Sequence, residues 1–86
     1  MKYYIYILYS GYLLKFYVGY TKDVTKRLME HNTGKAKFTS TGMPWRIIYT
    51  IQCESKTEAI RLERKIKKRG IKRYLQDIGN FAFFGM

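Results

Sequence analysis

The sequence predicts an α+β fold: a three-stranded, mainly antiparallel sheet flanked by helices, in the order ββαβα(α). Three observations predict it. Two short runs of aromatic and β-branched residues open the chain with turn residues between them, which reads as a hairpin. A third such run lies at 45–53 after a polar stretch. Two segments at about 23–33 and 56–69 carry apolar residues at helical spacing. At 86 residues, the expectation is a single domain over 1–86.

The first run, "KYYIYILY" at 2–9, is apolar without alternation, so it is expected to be buried on both faces. "SGY" at 10–12 supplies the turn, and "LKFYVGY" at 14–20 supplies the second strand. Gly19 interrupts that strand, which often marks a bulge or a close approach by another chain or ligand. Thr21 or Asp23 can cap the first helix, and Asn32-Thr33-Gly34 stops it. Residues 34–44, "GKAKFTSTGMP", read as a polar basic loop, and "WRIIYTIQC" as the third strand. Ser55 caps the second helix, with Glu58 at capping-box spacing, and Gly70 ends it after "KKR". A short helix at about 71–78 precedes the apolar tail "FAFFGM".

Composition narrows the function. Seventeen Lys and Arg face six Asp and Glu, a formal charge of +11. Such a field attracts polyanions, and nucleic acid is the expected partner. The basic residues are spread along the chain rather than gathered beside one apolar helix face, which argues against a membrane-surface role. No apolar run approaches the roughly 20 residues of a membrane span. The tyrosine-rich start lacks a signal-peptide pattern, so the expected location is cytoplasmic. The single cysteine, Cys53, can form neither an internal disulfide nor a thiolate zinc site and is expected to be a buried small residue. A monomer is the favoured state.

The polar residues that break the helix patterns are the candidates for chemistry. Each residue of a helix advances about 100°. With Val24 at zero, Leu28 falls at about +40°, His31 at about −20° and Arg27 at about −60°. Arg27 and His31 therefore share the apolar side, while Lys26 and Glu30 are expected to point away. On the second helix Ala59, Leu62 and Ile66 mark the inner face, and Glu63 lies at about +40° from Ala59, within that arc. A carboxylate among apolar residues needs a cation or donors to meet it. Arg27 or a metal ion fits that need equally from spacing alone. By the same spacing, a lone histidine on an apolar side such as His31 is more often a hydrogen-bonded structural residue than a functional one.

The combination resembles the GIY-YIG nuclease superfamily, and within it the small stand-alone proteins. Tyr4-Ile5-Tyr6 occupies the first signature tripeptide and Tyr17-Val18-Gly19 the second. Arg27 lies ten residues after Tyr17, at the signature arginine, and His31 four further on. "PWRIIYT" at 44–50 looks like the third strand of these proteins, and "SKTEAIRLERKIKK" at 55–68 like their metal-site helix, with Glu63 in the acidic position. Tyr4 replaces the first glycine. Tyr20 stands where some members carry Lys, and Leu75 where DNA-repair members carry Asn.

The resemblance implies a metal-dependent endonuclease acting on nucleic acid, with DNA favoured, or else a nucleic-acid-binding module that kept the fold without the chemistry. It implies catalytic roles for Tyr6, Tyr17, Arg27, His31 and Glu63. Glu63 would bind Mg²⁺ or Mn²⁺, and Arg27 would hold the phosphate. Tyr17 would orient or help deprotonate the attacking water beside Tyr6, and His31 would be a general base. Lys35, Lys37 and Arg46 of the loop region, with Arg61, Arg64, Lys65 and Lys68 on the outer face of the second helix, would hold the flanking backbone.

Overall fold

The central strand carries both halves of the core. The structure, a computed structural model, describes residues 2–34 and 37–79, the side chains of Lys37 and Phe38 excepted. The chain runs β1 (Tyr3–Ser10), β2 (Lys15–Thr21), α1 (Val24–Asn32), a 3-10 turn (Lys37–Gly42), β3 (Trp45–Cys53), α2 (Lys56–Arg69) and α3 (Ile71–Asp77). The sheet is antiparallel, in the order β2-β1-β3. The fold is thus the α+β arrangement the sequence predicts, with the third helix formed.

Local chemistry sets the element ends. Ser10 Oγ accepts the Leu13 amide at 3.0 Å, and Leu14 sits at a left-handed φ of 56°. Leu14 therefore belongs to the turn, and β2 starts one residue later than its apolar pattern suggests. Asp23 rather than Thr21 caps α1, its carboxylate accepting the Lys26 amide at 3.0 Å. Ser55 caps α2 by accepting the Glu58 amide at 3.1 Å. In return the Glu58 carboxylate accepts the Glu54 amide, one residue ahead of the cap. At Gly70 the φ of 96° ends α2 and lets α3 turn back across it.

Alternation along β1 divides its side chains between two cores. On one face Ile5 and Ile7, with Val18 of β2, pack on Ala59 and Ile66 of α2 and on Leu75 of α3. Cys53 is buried in this core as a free thiol. On the other face Tyr6, Leu8 and Trp45 pack with Val24 and Leu28 of α1. Burial on both faces accounts for the unbroken apolar run of β1. It also sets α1 and α2 on opposite sides of the sheet, so any site they share must lie at a sheet edge.

Gly19 is where the strands themselves shape that edge. It pairs directly with Tyr6 across β1 and β2. A Cβ at Gly19 would lie 2.5 Å from Tyr6 Oη and 2.7 Å from Cζ. The close approach expected from the sequence is therefore made by the chain's own phenol ring. Because the Tyr6 ring is almost wholly buried, it has little room to yield. Gly19→Ala is expected to destabilise the fold by about 1–3 kcal/mol, as overpacking does. Urea denaturation checks this through a lower midpoint at unchanged slope.

Candidate active site

The two helices meet at the β2 edge. There Tyr6, Tyr17, Gly19, Tyr20, Thr21, Arg27 and Glu63 line an open cleft of about 330 Å³. Tyr17, Gly19 and Thr21 share the Tyr6 face of the sheet, whereas Tyr20 belongs to the core under α2. The cleft thus wraps the edge: α1 delivers Arg27 from one side and α2 delivers Glu63 from the other. A smaller depression beside it is lined by Thr21, Lys22, Asp23, Lys26, Arg27 and Glu30.

Arg27 and Tyr6 are held by a continuous hydrogen-bond chain. Arg27 Nη1 donates to Glu30 Oε1 at 2.9 Å, and Arg27 Nε donates to Tyr6 Oη at 3.3 Å. Tyr6 Oη lies 2.9 Å from His31 Nε2, and His31 Nδ1 lies 2.6 Å from Thr39 Oγ1. Burial, partly countered by the hydrogen bond from Arg27, pushes the Tyr6 phenol up to about 12. Tyr6 is therefore protonated at neutral pH. Burial first, and then the Arg27 charge, lower the His31 pKa below its ordinary 6.5, so the ring is neutral at pH 7. Tyr17 packs edge-on against His31, ring centres 5.0 Å apart, and its hydroxyl has no hydrogen-bond partner among the described residues.

One candidate residue sits apart from the cleft, and one expectation changes at this network. His31 does not line the cleft; it is fully buried behind Tyr6, which stands between it and the opening. Glu30 does not point away. It turns along α1 to Arg27, because an i,i+3 pair shields both charges at little cost in helix geometry. Arg27 is thereby oriented by Glu30 and Tyr6 rather than by Glu63.

Glu63 has a looser setting. Its side chain is 18% exposed, and Lys67 Nζ approaches Oε2 at 3.6 Å. No ion pair joins it to Arg27, whose own carboxylate partner is Glu30. Among the described residues no group of three His, Cys, Asp or Glu side chains stands close enough to form a metal cage. Glu63 is the one carboxylate lining this cleft, in company with phenolic and threonine hydroxyls.

The residues expected to hold a nucleic-acid backbone are scattered. Arg61, Arg64, Lys65 and Lys68 are all exposed on α2. Helical geometry places Arg64 on the flank nearer Glu63, with Arg61, Lys65 and Lys68 further round the outer surface. Arg46 lies on β3, the opposite edge strand from the cleft, with its guanidinium 5.7 Å from the centre of the Tyr9 ring. Lys35 and the Lys37 side chain lie outside the described residues, as does the apolar tail. The segment expected as a plain basic loop instead buries Thr39 and Gly42. Among the described residues, three cations to which the sequence assigned no backbone-holding role lie near the cleft beside Arg27: Lys22 and Lys26 in the adjoining depression, and Lys67 on Glu63. Lys67 was legible from its i+4 spacing to Glu63.

The fold and this edge cleft define a small α+β domain that gathers a carboxylate, a guanidinium and three phenols from four elements. The chain belongs to the GIY-YIG family, whose catalytic domain matches residues 2–75. It is similar to the UPF0213 protein SAG0778 of Streptococcus agalactiae, 46% identical over 54 residues, covering 62% of this chain and 61% of the relative. It is also similar to the UPF0213 protein SSP2268 of Staphylococcus saprophyticus, 41% identical over 69 residues, covering 77% of this chain and 80% of the relative. Among solved structures it resembles the UPF0213 protein BH0048 of Bacillus halodurans, determined by solution NMR. That match has a TM-score of 0.56 and 37% identity, and covers 91% of this chain and 83% of the other. The match to the streptococcal relative thus reaches less than two thirds of that protein's length.

The buried neutral His31 makes stability pH-dependent. Its folded pKa is lowered, so between the folded value and about 6.5 the unfolded chain binds more protons. The stability from keeping His31 neutral is complete above about pH 6.5 and is lost as the pH falls through the folded value. His31 is the chain's single histidine. Urea midpoints measured from about pH 7.5 down to 5.5 are expected to fall, and the fall is expected to vanish in His31→Gln.

Proposed function

We propose that the chain is a metal-dependent endonuclease that hydrolyses phosphodiester bonds of nucleic acid, with DNA the favoured substrate. The observation that carries this reading is that Glu63 and Arg27, borne by helices on opposite faces of the sheet, line one cleft together with Tyr6 and Tyr17. The family and the net charge of +11 point to the same class of substrate.

The donors fit a hard divalent cation. Magnesium takes oxygen ligands and retains several waters, so a single carboxylate suffices to hold it. Glu63, partly exposed and bound loosely by Lys67, is that carboxylate. A soft or tetrahedral ion would need the nitrogen and sulfur ligands this cleft lacks. When bound, Mg²⁺ or Mn²⁺ neutralises charge on the non-bridging oxygens of the scissile phosphate.

The chain's own residues supply the rest. Arg27 has Nε on Tyr6 and Nη1 on Glu30, which leaves Nη2 to meet a phosphate oxygen in the cleft. Tyr17, with its hydroxyl unengaged among the described residues, orients the attacking water. The water passes a proton to Tyr6 Oη as Tyr6 passes its own to His31 Nε2. The hydroxide oxygen bonds to phosphorus, and the P–O bond to the leaving strand breaks, its oxygen departing with the electron pair and taking a proton from solvent. In this scheme His31 acts as a base through Tyr6, which reconciles its chemistry with its burial.

The test is a cleavage screen over single-stranded, duplex and branched DNA and RNA, with Mg²⁺, Mn²⁺ or EDTA. Glu63→Ala is expected to lower metal-dependent cleavage by about 10² or more, while low-salt binding of nucleic acid persists because it draws on many cations. Unchanged cleavage in this variant would overturn the assignment of Glu63. Salt-sensitive binding by the native chain with no cleavage of any substrate would identify a binding module instead.

A further inference from the structure

The 3-10 turn Lys37–Gly42 sends one side chain inward to the network behind the cleft. Thr39 is 1% exposed, and its Oγ1 lies 2.6 Å from His31 Nδ1. Its backbone is fixed as well, since Trp45 Nε1 donates to the Thr39 carbonyl at 2.6 Å. Trp45 is in turn clamped to α1, because the Asn32 side chain bonds both its amide and its carbonyl. A hydroxyl held this firmly against one nitrogen of a fully buried imidazole restricts what that ring can do.

We propose that Thr39 is a positioning residue that fixes the proton of His31 on Nδ1 and thereby turns the Nε2 lone pair toward Tyr6. Its consequence for cleavage rests on the endonuclease reading; the proton's location does not. Arg27 is a permanent donor, so one acceptor position on Tyr6 Oη is already filled. An Nε2–H aimed at the same oxygen would bring a second donor beside the guanidinium. The favourable order instead runs in one direction: Arg27 Nε–H to Tyr6 Oη, Tyr6 O–H to His31 Nε2, and His31 Nδ1–H to Thr39 Oγ1. Bonds aligned head to tail strengthen one another. Among the described residues the other groups around His31 are the Tyr17 ring from β2 and the Arg27 and Glu30 charges from α1, which are paired with each other, and the hydrogen-bond partner of Nδ1 is Thr39 Oγ1. Without the Thr39 hydroxyl, an Nδ1–H would be buried without an acceptor, a penalty that favours moving the proton to Nε2. In that tautomer His31 has no lone pair for the Tyr6 proton.

The experiment is nitrogen NMR of the imidazole at pH 7, unambiguous because the chain has a single histidine. The native protein is expected to show a protonated Nδ1 and an unprotonated Nε2. Thr39→Val, equal in shape but lacking the hydroxyl, is expected to move the proton to Nε2, and Thr39→Ser to retain the native pattern. On any substrate the native chain cleaves, Thr39→Val is expected to lower kcat on the order of 10–100-fold with KM little changed, and Thr39→Ser to stay near native. A native spectrum with the proton on Nε2 overturns the proposal, as does a folded Thr39→Val that keeps it on Nδ1. Should Thr39→Val fail to fold, the native spectrum decides alone. Should no substrate be cleaved, the endonuclease reading fails while the spectra still decide the role of Thr39.

Discussion

The cleft depends on one phenol lying flat across one glycine. Tyr6 can bring its hydroxyl to the β2 edge because Gly19, directly opposite, has no side chain to hold the ring away. In that position Oη receives Arg27 from the cleft side and meets His31 on the buried side. The same ring is part of the second core, with Leu8 and Trp45. Packing therefore fixes the geometry of a polar group, and the polar group fixes the orientation of a cation. A shift of the ring would be felt by Arg27, His31 and Thr39 together.

The two-faced burial of β1 has a second consequence. Helices on opposite sides of a three-stranded sheet can place side chains in common only past an outer strand, and β2 is that strand. Arg27 arrives anchored by Tyr6 and Glu30, so its charge is preorganised. Glu63 arrives with only a 3.6 Å approach from Lys67, so its carboxylate is available to exchange partners. One rigid cation and one exchangeable anion across a small opening suit a site that receives a phosphate and a metal ion together.

The fold was legible because its signals are local and strong: an unbroken apolar strand, turn residues, Ser55 and Glu58 at a helix start, Gly70 at its end. The inward set of Arg27, His31 and Glu63 was legible because helical spacing puts them beside apolar neighbours. Four features escaped that reasoning. Periodicity assigns a residue to a face but not to a depth, so it did not separate the sealed His31 from the cleft-lining Arg27. Long side chains bend toward opposite charge, so Glu30 reaches Arg27 from a position that points outward on an ideal wheel. Thr39 sits in a polar stretch with no period at all, and its burial and its contact with His31, which set it apart from the half-buried Ser40 and exposed Thr41 beside it, arise only in the fold. Gly19 was flagged as a place of close approach, but the ring that approaches lies on another strand, which sequence order alone does not reveal.

The central claim is that Glu63 and Arg27 form one metal- and phosphate-binding site across the β2 edge. Titration of the native chain with Mn²⁺, followed by paramagnetic broadening of backbone amides, tests it without requiring a substrate. Broadening is expected to centre on Glu63, to spread across the cleft to Gly19, Thr21 and Arg27, and to be lost in Glu63→Ala. Broadening centred on another carboxylate, such as Glu54 or Asp77, or broadening that persists in Glu63→Ala, would contradict it.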